Sequence, residues 1–308
     1  MNLLSKKNHF LYLTILAFVF ISTSALAISG RVLEVKELVK PIKHESKIFP
    51  PNPVLAFESS FPILSAQGAL AIDLDSGVSL YEKNPDTQLL PASTTKIVTA
   101  LVALDSYQLD QIVTVGKINV VGQKMGLFSG EQISVENLLY GLLVYSANDA
   151  AEALAGSFPG GYDAFIDAMN AKAKDLSMLN SNFQNPAGLD GVNQITTAKD
   201  LVRVSEVAMR IPEFAKIVGT KSIALSDATG KVTYNLKNIN ILLDNVPGVM
   251  GVKTGWTENA RENLVTYIER DGHKVMIAVL GSQDRFGETK ELIDWIFANY
   301  QWQEVKTP

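Results

Sequence analysis

Ser93 and Lys96 have the residue types and the spacing to form a nucleophile and its base. They lie in Pro91-Ala92-Ser93-Thr94-Thr95-Lys96, and no other serine in the chain is followed by a lysine three residues on. Pro91 opens an apolar segment with Ile97, Val98, Leu101, Val102 and Leu104, which reads as a buried helix. Side chains at i and i+3 of a helix share a face, so the amine can approach the hydroxyl. A lysine base must shed its proton near neutral pH. Burial, the positive end of the helix dipole and a second nearby cation all push it that way. The bland alternative is a first-turn serine beside a solvated lysine.

Two further segments carry candidate groups. Tyr145-Ser146-Ala147-Asn148 lies between two helical patterns, where Ser146 and Asn148 could equally be caps. Val249-Met250-Gly251-Val252-Lys253-Thr254-Gly255-Trp256 reads as a strand that places a cation, a hydroxyl and a residue without a side chain along one edge. Gly255 would let a substrate backbone approach closely, as an added strand does.

Composition narrows the chemistry further. The chain has 308 residues, no cysteine, three histidines and a net charge of −5. Thiol nucleophiles, thiolate metal sites and disulfides are excluded, and the acidic balance argues against a nucleic-acid partner. His9 falls in a leader-like segment, His44 in a proline-broken stretch and His273 beside a turn, where it reads as a solvated strand-end side chain, so a serine-histidine-acid triad is not expected. Lysine is the established substitute base in serine hydrolases.

The elements that must position these groups follow from pattern. Residues 1–27 carry Lys6 and Lys7, an apolar run Phe10–Ile21 and Ala25-Leu26-Ala27, the order of a secretory signal; an uncleaved anchor is the alternative. Residues 28–65 read as a tether, because Pro50-Pro51-Asn52-Pro53 disfavours regular structure. The globular domain is expected over 66–308. Ala69–Asp73 and Val78–Glu82 flank Asp75-Ser76-Gly77 as a hairpin, and Asn263–Arg270 and Lys274–Leu280 flank Asp271-Gly272, a type I′ signal. Helices are expected over Val135–Val144, Asp149–Leu154, Tyr162–Leu176, Ala198–Arg210 and Arg285–Tyr300. Strands at both chain ends with helices between them predict an α+β domain. Its antiparallel sheet comes from both ends, is flanked by helices and carries an inserted helical subdomain.

The three segments occur once each, in the order Ser-x-x-Lys, Ser-x-Asn, Lys-Thr-Gly. That is the signature set of penicillin-binding proteins and class A β-lactamases. PASTTKIVTALVAL, YSANDAAEALA, FQNPAGLDG and GVKTGWT resemble the serine-type D-alanyl-D-alanine carboxypeptidases, low-molecular-mass penicillin-binding proteins, from about Ala69 to Trp295.

The resemblance implies a β-lactamase/transpeptidase-like fold, no metal or organic cofactor, peptidoglycan stem peptides as substrates and β-lactams as covalent inhibitors. It implies an exported protein at the outer face of the cytoplasmic membrane or in the periplasm, attached, if at all, through its N-terminus. Ser93 would be the acyl-enzyme nucleophile, Lys96 its base and Ser146 a proton relay. Asn148 would hold the substrate amide and orient Lys96. Lys253 and Thr254 would serve the substrate carboxylate, although strict strand alternation puts them on opposite faces. The Ser93 and Trp256 amides would form the oxyanion hole, and Arg285 would reach the terminal carboxylate unless it merely pairs with Asp284 or Glu288. Two features depart from the family: Arg261 stands where a glycine is usual, and only a short segment follows Gly281, without room for a second β-rich domain. Endopeptidase, β-lactamase and non-catalytic wall-binding readings remain beside the carboxypeptidase, the β-lactamase weakened by the lack of a Glu-x-x-Leu-Asn in the Phe183–Gly191 region.

Overall fold

The structure is a computed structural model that describes residues 50–56 and 60–304. The leader-like segment, His9 and His44 lie outside the described residues. The chain enters with strand β1 (Asn52–Leu55), then the hairpin β2 (Gly68–Asp73) and β3 (Ser79–Lys83). A 3-10 turn, Ala92–Thr95, leads into helix α1 (Lys96–Ser106). The short hairpin β4 (Ile112–Thr114) and β5 (Gln132–Ser134) follows, then α2 (Val135–Leu143), α3 (Asn148–Gly156), α4 (Gly161–Asp175), α5 (Ala198–Met209) and α6 (Pro212–Val218). A second small hairpin, β6 (Ser222–Ser226) and β7 (Thr233–Lys237), and the turn of helix α7 (Leu242–Asn245) precede β8 (Val249–Thr257), β9 (Arg261–Arg270) and β10 (His273–Ser282). Helix α8 (Arg285–Asn299) and strand β11 (Tyr300–Gln303) close the fold.

The main sheet has the order β3-β2-β10-β9-β8, antiparallel throughout, so strands from both ends of the domain do meet in one sheet. Alternation along the strands sorts their apolar side chains into two cores. Met276, Ala278 and Leu280 of β10, with Val265 and Tyr267 of β9, join the core of the helical subdomain. Val275, Ile277 and Val279, with Leu264 and Ile268, pack with Leu292, Ile293 and Ile296 of α8. Burial on both faces explains why β9 and β10 read as near-continuous apolar runs. Ser134, Thr197 and Asp284 cap α2, α5 and α8 by accepting from Asn137, Asp200 and Gly287 amides. Asp271 and Gly272 both have positive φ, as a type I′ turn requires.

Three sequence expectations are corrected. The tether contains structure, since β1 pairs with β11 from Asn52↔Gln303 to Leu55↔Tyr300. Pro51 and Pro53 are tolerated because a two-stranded sheet offers an open edge where no N–H is required. His273 is not a solvated strand end: its ring stacks on Trp302, centroids 4.1 Å apart, and the Trp302 indole donates to Asp73 Oδ1 at 2.9 Å. The segment after Pro91 begins as a 3-10 turn rather than an α-helix, and Ala92 sits at φ 48°. Arg261, in the glycine position, also adopts a positive φ of 60°, yet β8 and β9 stay paired through Thr257↔Arg261.

Candidate active site

The turn that carries Ser93 is gripped from three sides. Asn263 of β9 donates from Nδ2 to the Leu90 and Pro91 carbonyls, both at 2.9 Å, and its Oδ1 accepts from Gly281 N. A Cβ on Gly255 would come within 3.1 Å of Ser93 N, and one on Gly188 within 1.9 Å of Ala92 O. Gly255 is therefore needed for β8 to lie against the Ser93 turn, a closer approach than the substrate contact its type suggested.

Ser93, Lys96, Asn148, Ser146 and Lys253 converge as their spacing implied. Lys96 is wholly buried, and its Nζ lies 2.8 Å from Ser93 Oγ, 2.7 Å from Asn148 Oδ1 and 2.5 Å from the Ala187 carbonyl. Lys253 Nζ donates to Ser146 Oγ at 2.9 Å and to the Thr254 carbonyl at 3.0 Å. The alternation that would separate Lys253 from Thr254 does not keep them apart, because the lysine Nζ returns to its neighbour's carbonyl while Thr254 lines the cleft. Thr254 Oγ1 is buried without a hydrogen-bond partner. Ser146 and Asn148 are not caps: Ser146 has φ 61°, and the N-cap of α3 is Ala147, without a side-chain bond.

These groups open onto a cleft of about 730 Å³, lined by Ser93, Ser146, Asn148, Thr254, Trp256 and Arg285 among others. Trp256 stands at its rim, 61% exposed. Arg285 is turned into the cleft, donating from Nη1 to the Gly255 carbonyl at 3.0 Å, while Asp284 caps α8 and Glu288 accepts from Ser282 and Ser65. The surface pairing with Asp284 or Glu288 is thus not formed.

Burial dominates the electrostatics. It lowers the Lys96 amine from 10.5 to about 7, against the raising influence of Asp149 and Glu152. Lys253 is pushed well below the ordinary lysine value by burial, then by Lys96 and Arg285. Burial also lowers Arg285, with Glu262 opposing. A neutral Lys96 has two N–H bonds and one lone pair. Asn148 Oδ1 and the Ala187 carbonyl can only accept, so they take the two N–H bonds and leave the lone pair facing the Ser93 hydroxyl. An amine so arranged can remove that proton.

The family profile described as D-alanyl-D-alanine carboxypeptidase matches residues 56–284. The chain belongs to the D-alanyl-D-alanine carboxypeptidase family. Among its relatives, DacB2 of Mycobacterium tuberculosis is 36% identical over 247 residues, covering 76% of this chain and 82% of that protein. DacF of Bacillus subtilis is 31% identical over 246 residues, covering 77% of this chain but only 63% of its own length. A D-alanyl-D-alanine endopeptidase of Pseudomonas aeruginosa is 34% identical, covering 76% of this chain and 77% of that protein. The Streptomyces K15 DD-transpeptidase crystal structure superimposes with a TM-score of 0.74 at 31% identity, covering 78% of this chain and all of that one. The fold is therefore the penicillin-binding-protein/transpeptidase fold.

Several groups in this family site escaped the sequence reading. The Ala187 carbonyl on Lys96 is backbone and leaves no side-chain trace. Asp190 accepts from Thr257 Oγ1 at 2.7 Å and Asn259 Nδ2 at 3.0 Å, tying the Gly188 loop to the end of β8. Asn263 read only as the start of a strand, because its hold on the Ser93 turn spans 172 residues of sequence. Asp149 looked like a plain helix-start acid.

Proposed function

We propose that this protein is an exported serine D,D-carboxypeptidase that removes the terminal D-alanine from peptidoglycan stem peptides through a Ser93 acyl-enzyme. The carrying observation is the buried Lys96 Nζ, fixed by two obligate acceptors with its third direction on Ser93 Oγ. Lys96 takes the Ser93 proton as Oγ bonds to the penultimate carbonyl carbon. The amides of Ser93 and Trp256 receive the developing oxyanion, each such donor contributing about 3–4 kcal/mol in a comparable enzyme. Ser146, held by Lys253, relays that proton from Lys96 to the departing D-alanine nitrogen as the C–N bond breaks, which leaves Lys96 neutral again. Water then adds to the ester carbonyl, losing a proton to Lys96, and Lys96 returns that proton to Ser93 Oγ as the ester C–O bond breaks. Asn148 serves both Lys96 and the substrate amide. The unpartnered Thr254 hydroxyl and the Arg285 fork, with Lys253, supply a carboxylate site.

A β-lactam presents the same carbonyl and carboxylate, which supports covalent inhibition at Ser93. The leader-like residues 1–27 support export, with membrane attachment through them if they are retained. Endopeptidase cleavage of cross-links is the second reading, favoured by the similarity to the Pseudomonas endopeptidase. Measuring D-alanine release from a pentapeptide beside cleavage of a cross-linked dimer separates the two. Dominant dimer cleavage would replace the first reading with the second.

A further inference from the structure

Asp149 is 1% exposed, and no lysine or arginine side chain forms an ion pair with it among the described residues. Its carboxylate is instead met by backbone amides. Oδ1 accepts from Met125 N at 3.0 Å and Ala150 N at 3.1 Å; Oδ2 accepts from Gly126 N at 2.8 Å and Leu127 N at 3.0 Å. Asn148, one residue earlier, holds the same segment from the other side. Its backbone N–H donates to the Gln123 carbonyl and its Nδ2 to the Val121 carbonyl, both at 2.7 Å. Gly122 and Gln123, held within the Asn148 grip, form a wall of the cleft.

The Val121 contact fixes more than the loop. An amide side chain has one donor end and one acceptor end, and the Val121 carbonyl can take only the donor end. Oδ1 of Asn148 is thereby turned to Lys96 Nζ. We propose that Asp149 is a positioning residue of the reaction. By docking residues 125–127 it keeps Val121 against Asn148, and through Asn148 it aims Lys96 at Ser93. The proposal rests on the Ser93 acyl-enzyme reading. Asp149 also acts on Lys96 through space, and together with Glu152 of the same helix it favours the ammonium, while Lys253 of β8 faces Lys96 with like charge.

The test compares wild type with Asp149→Asn in acylation by a chromogenic cephalosporin across pH, with backbone amide exchange measured on both. Asparagine keeps the shape but has one acceptor and a donor that opposes the Gly126 and Leu127 amides. Exchange at 125–127 should quicken while α1 stays protected, and acylation should fall roughly ten- to a hundredfold, as expected for a misplaced catalytic group. The pH midpoint should move downwards, because an anion that favoured the ammonium is gone; a purely structural lesion would lower the amount of active protein without moving it. Wild-type rate and midpoint in Asp149→Asn would overturn the proposal. So would a loss of rate with 125–127 still protected. If the variant does not fold, Gly122→Ala decides: its Cβ would meet Asn148 Nδ2 at 2.9 Å, so acylation should fall, and an unchanged rate overturns the proposal. Absence of acylation in the wild type would instead reject the Ser93 reading itself.

Discussion

The pH dependence of acylation is the sharpest consequence of a buried lysine base. An unperturbed amine near 10.4 would be neutral in about one molecule in a thousand at pH 7.4. With Lys96 lowered to about 7, more than half of the molecules hold it neutral at that pH. The shift represents about 5 kcal/mol of preference for the neutral form, imposed chiefly by desolvation. Its sign sets the profile: Lys96 gains its proton as pH falls through about 7, and the base is lost on the acid side. Single-turnover acylation by a chromogenic cephalosporin should be on a plateau near pH 8 and fall about tenfold per unit below pH 6. At pH 5 it should stand about a hundredfold under the plateau. Lys96→Arg should be almost inactive at every pH, since a guanidinium keeps its proton. A flat profile between pH 5 and 9, a midpoint near 10, or an active arginine variant would each show that another group takes the Ser93 proton.

Other expectations concern single side chains. Ser93→Ala should abolish penicillin labelling and D-alanine release together while circular dichroism and melting temperature stay native; retained covalent labelling would remove the nucleophile from Ser93. Arg285→Ala should lower kcat/KM for a free-carboxylate pentapeptide by about 1.5–3 kcal/mol, roughly ten- to more than a hundredfold. A C-terminally amidated substrate should already be poor and lose little more; equal losses on both would deny the arginine its carboxylate. Arg261→Gly should stabilise the fold by about 0.5–1 kcal/mol, because a left-handed φ costs arginine more than the added chain entropy costs glycine. A lowered melting temperature would mean that the Arg261 side chain contributes more than its φ costs.

The converging lysines and serines were legible because each motif is local in sequence or recurs as a family pattern. Ser93 and Lys96 needed only helical spacing. The two-sided burial of β9 and β10 was written in their apolar runs, and the β9–β10 turn in Asp271-Gly272. What stayed hidden depends on distant partners. Strand β1 forms because Tyr300–Gln303 offers it an edge, and no rule of local propensity anticipates that from two prolines. Asp149 resembles any helix-start acid until the amides of 125–127 are brought to it. Arg261 stands where the family has a glycine, yet one left-handed residue at the turn is tolerated without loss of pairing.

The β1–β11 pairing has a consequence for how the domain can be held. Asn52 and Gln303 are direct register partners, so the chain enters and leaves the described fold side by side. A linker of a few residues could join these two points. The domain should therefore tolerate circular permutation, with new termini cut at an exposed site such as Val192, 95% accessible. For the same reason it could be spliced whole into a loop of another protein. Tension pulling the two ends apart would peel the β1–β11 ladder from its open end, one hydrogen bond after another, before it loaded the sheet that carries Lys253.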